Sequence, residues 1–302
     1  MAIKKHPILI VVIILGITIL FLGMVMTAIF KFSGKSSSLP FSNRIGLIRI
    51  EGPIMDSWPV VERLIEFKKD NRIKAIILRI DSPGGGVGAS QEIYREVRKT
   101  IKTKKVICSL GGVAASGGYY IASAGSKIVA NPGTITGSIG VIMEFVQIKD
   151  LIKKIGVGFE VVKSGEFKDI GSPHREMTEK EKKLISGLIS EIQGQFVDAV
   201  AQGRSLPAEQ VWEIADGRIF SGAKAKELGL VDQLGNFQDA VDLAKELSGI
   251  TGDVSLVSPK ERRIRIWDLI FQNATKAFFD AVIDGLKTRF EYRWNGFSYS
   301  YR

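Results

Sequence analysis

The predominantly apolar stretch from Ile8 to Phe30 runs 23 positions without a charge. At about 1.5 Å per residue such a helix crosses a hydrocarbon layer roughly 30 Å thick. The run predicts a transmembrane helix. A cleaved leader would have a shorter apolar region ending at a small-residue site. Lys31 to Asn43 is rich in Ser, Gly and Lys with Pro40 near its end, the composition of a flexible tether. From Arg44 short apolar runs alternate with segments of helical period. Strands are expected at Ile45–Ile50, Ala75–Ile80, Val106–Leu110 and Lys127–Ala130, and helices at Val60–Lys69, Val87–Ile101 and Tyr119–Ala124. Thr178 to Gln202 follows as a long amphipathic helix, with Thr178 and Glu181 spaced as a capping box. Shorter helices are expected at Pro207–Ala215, Gly222–Leu228 and Phe237–Leu247. This alternation predicts an α/β domain over 44–258, preceded by an anchor (1–30) and a linker (31–43). Residues 259–302 form a basic, aromatic end with helical spacing from Ile264 to Lys287.

Charge refines the picture once it is located. The chain of 302 residues carries +10. Lys4, Lys5, Lys31 and Lys35 give +4 to residues 1–43, and nine basic against five acidic residues give +4 to 260–302. The domain between them is nearly balanced, so the basic ends point to anionic lipid and not to nucleic acid. Lysines on both sides of the span leave its orientation open. Cys108, the one cysteine, lies in an apolar run and reads as a packed strand residue. With only His6 and His174, neither suitably placed, there is no credible Ser-His-Asp triad, and no metal site is expected.

Three glycine-rich stretches carry the candidate chemistry: Asp81-Ser82-Pro83-Gly84-Gly85-Gly86, Gly111 to Gly118, and Thr134 to Gly140. The first lacks the Gly-Lys-Ser/Thr ending of a phosphate loop and the spacing of a dinucleotide fingerprint. Its glycines expose backbone N–H groups without Cβ obstruction. Ser116 sits among small residues, where a sharp strand-to-helix turn would expose its hydroxyl. A serine needs a base at neutral pH, and Lys168, in Lys-Ser-Gly-Glu-Phe-Lys-Asp-Ile, is the candidate. Keeping a lysine neutral about three pH units below its ordinary pKa costs roughly 4 kcal/mol, within what burial supplies.

Taken together and in order, Ser-Pro-Gly-Gly-Gly, Ala-Ala-Ser-Gly-Gly-Tyr-Tyr, Thr-Gly-Ser-Ile-Gly-Val and Lys-Ser-Gly-x-x-Lys-Asp-Ile resemble the signal peptide peptidase A (protease IV) family in its short bacterial form. The resemblance spans about residues 44 to 245. It implies the Clp protease/crotonase-like spiral fold, no cofactor, and a Ser-Lys dyad of Ser116 as nucleophile and Lys168 as base. It further implies an oxyanion hole from the N–H groups of Gly85 and Ser116, Ser138 orienting the lysine, and substrate pairing along Gly84, Gly85 and Gly86. The implied assembly is a homo-oligomeric ring, an octamer, whose sites are shared between subunits. The implied setting is the outer side of the cytoplasmic membrane, with signal peptide remnants as substrate. Two other classes start from the same residues: a Ser-Lys peptidase acting on one particular membrane protein, and a crotonase-like enzyme handling acyl-coenzyme A, for which neither an anchor nor a Ser-Lys pair is expected.

Overall fold

The computed structural model describes residues 15–25, 27 and 43–258, together with the backbone of 291–293. The chain divides into two units, Met1–Ser42 and Asn43–Arg302. In the first, residues 15–25 form helix α1 with exposed apolar side chains. Among the described residues no helix is long and apolar enough to cross a membrane. The rest of the expected span, the linker up to residue 42 and the expected Ile264–Lys287 helix lie outside the described residues.

In the second unit, strand β2 (Ile73–Ser82) is buried on both faces along most of its length, as a parallel strand covered by helices must be. It lies between β1 (Arg44–Glu51) and β4 (Lys105–Ala115), parallel to both. The connections are helices α2 (Trp58–Lys69) and α3 (Val87–Thr100). The first half of β4 pairs with β5 (Lys127–Ala130), which in turn pairs with β8 (Gln233–Leu234). Its second half pairs with β6 (Ile135–Gly137), which meets β7 (Ile219–Ser221) antiparallel. Strand β9 (Ser255–Val257) closes the far edge beside β1.

One face of the sheet presents Ile45, Leu47, Ala75, Ile77, Ile107 and Val129 to Ala240, Val241 and Ala244 of α9 (Phe237–Leu247). The other buries the larger core under α2, α3, α4 (Gly117–Ser123) and α6 (Glu179–Arg204). The helix expected at Thr178–Gln202 is α6. Its capping box is formed, with Thr178 Oγ1 accepting from the Glu181 N–H at 3.2 Å and the Glu181 carboxylate accepting from the Thr178 N–H at 2.8 Å. Helices α5 (Lys149–Lys154), α7 (Ala208–Trp212) and α8 (Gly222–Glu227) complete the unit.

Two glycine stretches that lie beyond the expected strands are themselves strands. β4 runs on past Leu110 through Gly111 and Gly112, and Gly84–Gly86 forms β3. Between Ile80↔Leu110 and Ser82↔Ala114, β4 advances four residues while β2 advances two. This bulge needs glycine: a Cβ at Gly111 would lie 2.7 Å from Asp81 Cγ. The Asp81 carboxylate accepts the Val113 N–H at 3.1 Å and fixes the bulge in place.

Candidate active site

Ser116 follows the last residue of β4 and caps α4, with φ 53° and ψ −118°. Serine rarely adopts this left-handed φ, and holding it there costs on the order of 1–3 kcal/mol. The surroundings enforce the conformation. The Ser116 N–H donates to the Gly137 carbonyl (2.8 Å), and the Ser116 carbonyl accepts the Tyr120 N–H (2.8 Å). Tyr119 anchors α4 by donating its hydroxyl to the Leu230 carbonyl at 2.8 Å. Tyr120 packs between Tyr94 of α3 and Phe196 of α6, with both ring centroids 4.9 Å away. The paired tyrosines of the Ala-Ala-Ser-Gly-Gly-Tyr-Tyr segment thus clamp the helix that carries the serine.

Ser116 is 1% exposed, and its Oγ is buried with no hydrogen-bond partner among the described residues. A buried, unpaired hydroxyl is costly in a folded protein and marks a group whose partner arrives from elsewhere. Ser138, also buried and also at positive φ (49°), lies one residue past the Ala115↔Gly137 pair that joins β4 to β6. The pairing therefore brings Ser116 and Ser138 side by side at the strand ends. The Ser138 N–H is held by the Arg218 carbonyl at 2.8 Å.

The two expected oxyanion donors, Ser116 and Gly85, sit in different hydrogen-bonding situations. With its N–H engaged by Gly137, Ser116 does not present that group to a reacting carbonyl. At the same turn the N–H groups of the following residues, Gly117 first, lack acceptors within the helix, because the first turn of a helix has none for them. Gly85 is placed differently. Gly84 and Gly86 bond through their carbonyl and N–H to Ile54 (2.9 and 2.8 Å), so by strand alternation the N–H and carbonyl of Gly85 face the opposite edge of β3. A Cβ on Gly85 would overlap the Ile54 carbonyl, so the approach of these two backbones requires glycine.

That opposite edge of β3 is occupied. Strand β10 (Glu291–Arg293) pairs with it antiparallel, Tyr292 opposite Gly85, and lies against α3 and α4. An extended peptide entering along Gly84–Gly86 meets the chain's own tail. Protein truncated after Lys287 is accordingly expected to show a severalfold lower KM for peptide substrates with kcat nearly unchanged. Steady-state kinetics of the two forms check this, and an unaltered KM removes the competition.

Lys168 lies on an exposed turn, its N–H donating to the Gly165 carbonyl at 3.2 Å. Its ammonium has no hydrogen-bond or ion-pair partner among the described residues, and within the subunit it is not bonded to Ser116 Oγ. The neighbouring Asp169 accepts from Lys163 Nζ at 2.6 Å and from Arg175 Nε and Nη2, both at 2.9 Å. Arg175 first, then Lys163, holds the Asp169 carboxyl far below the usual carboxylate range. Cys108 is buried in β4, and burial pushes its thiol up to about 12, which removes it as a nucleophile. His174 stacks on Phe159, with ring centroids 4.9 Å apart.

Comparison with known proteins matches residues 98–251 to the model of peptidase family S49 and residues 41–134 to that of Clp protease. The α/β fold is thus Clp protease-like. A putative protease of Synechocystis sp. is 45% identical over 211 residues, covering 70% of this chain and 76% of its own length. A putative signal peptide peptidase SppA of Enterococcus faecium is 39% identical over 199 residues, 66% of this chain and 58% of that protein. Protease 4 of Haemophilus influenzae is 36% identical over 215 residues, 68% of this chain and 35% of that protein. The chain therefore spans less than two thirds of the latter two relatives. Its matched segments contain both the strained serine turn and the Lys168 segment, and the chain belongs to peptidase family S49, alongside the signal peptide peptidase A and protease 4 proteins, as a serine-type peptidase.

Proposed function

We propose that this protein is a membrane-anchored endopeptidase that degrades signal peptides left in the membrane after secretion, with Ser116 as nucleophile and Lys168 of a neighbouring subunit as general base. One observation carries the reading: among the described residues a buried hydroxyl has no partner on a strained turn, and the exposed Lys168 has none either. A second copy of the chain supplies each with the other. The segment around Lys168 supports such an assembly, since Val146, Leu151, Ile155, Phe159, Val162 and Phe167 are all exposed, Val162 at 95%. Apolar side chains concentrated in this way mark an association surface. The ring is an octamer in this reading, with no cofactor.

In the reaction the neutral Lys168 amine takes the Ser116 hydroxyl proton as Oγ attacks the scissile carbonyl. The oxyanion is stabilised by N–H groups at the start of α4 and by Gly85. The C–N bond breaks as the proton passes from Lys168 to the leaving amine, giving an acyl-enzyme. Water then attacks the ester, its proton taken by the same lysine, and Ser116 is restored. Ser138, beside Ser116, orients the lysine. The apolar run from Ile8 to Phe30 is the anchor, and the peptidase unit lies on the outer side of the cytoplasmic membrane, where remnants with apolar cores are presented to it.

Full-length protein in proteoliposomes is expected to cleave a synthetic signal peptide. A fluorophosphonate located on Ser116 by mass spectrometry is expected to stop cleavage in step with its modification. Cleavage surviving complete modification, or no cleavage of signal peptides at all, overturns the proposal.

A further inference from the structure

The guanidinium of Arg175 joins the segment that carries Lys168 to the helix on which Ser116's own helix packs. On one side it holds Asp169, the residue after Lys168: Nε donates to Oδ2 and Nη2 to Oδ1, both at 2.9 Å, and Nη2 also to the Asp169 carbonyl at 3.1 Å. On the other side it holds Glu181 with a second fork, Nη1 donating to Oε2 at 2.8 Å and Nη2 to Oε1 at 2.5 Å. Nη1 donates in addition to the Glu176 carbonyl at 2.9 Å. Every nitrogen of the side chain is engaged. Glu181 is 1% exposed and closes the capping box at the start of α6. Further along the same 26-residue helix, Phe196 packs edge-on against Tyr120 of α4, which Ser116 caps.

We infer that Arg175, acting through Asp169, is the positioning residue that fixes Lys168 in the geometry proton transfer requires. The inference rests on the Ser116–Lys168 reading above. Lys168 itself is exposed, the turn around it is closed by backbone bonds of 3.1–3.2 Å (Lys168 N–H to Gly165, Ile170 N–H to Phe167, Ser172 N–H to Asp169), and Lys163 Nζ adds a 2.6 Å bond to Asp169 from within the same segment, so Arg175 is the group that ties this segment to the buried Glu181 of α6. A planar guanidinium can grip two carboxylates in paired forks of fixed geometry, which a lysine ammonium, a point charge, cannot do. Both acids stay ionised to serve it: Arg175 brings Glu181 down to about 2 and holds Asp169 lower still. A displacement of about 1 Å in a catalytic group lowers turnover about 100-fold. A segment freed from this clamp loses turnover without losing the β3 edge that binds substrate.

Three variants of the full-length assembled protein test this: Asp169→Asn, Arg175→Met and Arg175→Lys, with oligomer size checked by light scattering. Asp169→Asn leaves the Arg175–Glu181 fork intact, so it separates positioning of Lys168 from support of α6. Asp169→Asn and Arg175→Met are expected to lower kcat by about 30- to 100-fold with KM changed by less than about twofold, and Arg175→Lys to recover only part of the loss. In a Lys168→Ala background supplied with ethylamine as a diffusible base, Arg175→Met is expected to have no further effect on the rescued rate. If Asp169→Asn turns over like the parent, or if the Arg175→Met loss is as large with the diffusible base, Arg175 is a structural strut and the inference falls. Should Lys168→Ala alone retain the parent kcat, the dyad itself fails, a result separate from any outcome at Arg175.

Discussion

Ser116→Ala is expected to lower kcat/KM by at least about 10⁴-fold, and Ser116→Gly to be equally inactive yet more stable than the parent. The two outcomes come from different properties of one residue. In the proposed mechanism the hydroxyl is the nucleophile, and its loss leaves only the rate supported by binding and oxyanion donors. The backbone at φ 53° is an arrangement glycine adopts freely and serine does not. Relief of about 1 kcal/mol raises Tm by about 2–4 °C for a domain of this size. Thermal unfolding of the variants beside peptide hydrolysis checks both. An inactive Ser116→Gly protein that melts below the parent would show that the turn stores no strain, and an active Ser116→Ala protein would remove the nucleophile.

The second large effect is expected from mixing. Lys168→Met alone is expected to be inactive, as is Ser116→Ala alone, but oligomers assembled from equal amounts of both regain activity. In the proposed ring each site takes its serine from one subunit and its lysine from the next, so random mixing would restore about one quarter of the sites. Co-refolding the two variants and titrating active sites with a fluorophosphonate measures the fraction. No recovery in verified mixed oligomers would place both members of the dyad in one subunit and contradict the shared site.

Much of this fold could be read from residue pattern because local signals and tertiary structure agree. Thr178 with Glu181 announces α6, and the doubly buried runs around Ile76 and Ile107 read as strands under helices. The exceptions are places where distant backbone decides. Gly111 and Gly112 look like a loop until Asp81 fills the space a Cβ would need, and β4 then continues through them to Ser116. Gly84–Gly86 becomes a strand because β10 pairs along one of its edges and Ile54 bridges to the other, both from other parts of the chain. The nearness of Ser116 and Ser138 follows from the pairing of β4 with β6, which no sequence periodicity reports. The engagement of the Ser116 N–H is hidden from the sequence for a related reason: the Gly137 carbonyl that accepts it lies on another strand. Arg175 reads as one charge among many until the fold sets Asp169 and Glu181 on either side of it.

The division of β4 between two partners has a consequence for biosynthesis. Its latter half is bonded to β6, whose far edge is closed by β7, and the carbonyl of Arg218 just before β7 holds Ser138. A growing polypeptide that has emerged only as far as the serine therefore lacks the parts that shape its turn. Contacts between segments so distant along the chain form late. Destructive capacity is thus withheld from the half-made enzyme, and it appears only when the later strands have been synthesised and docked.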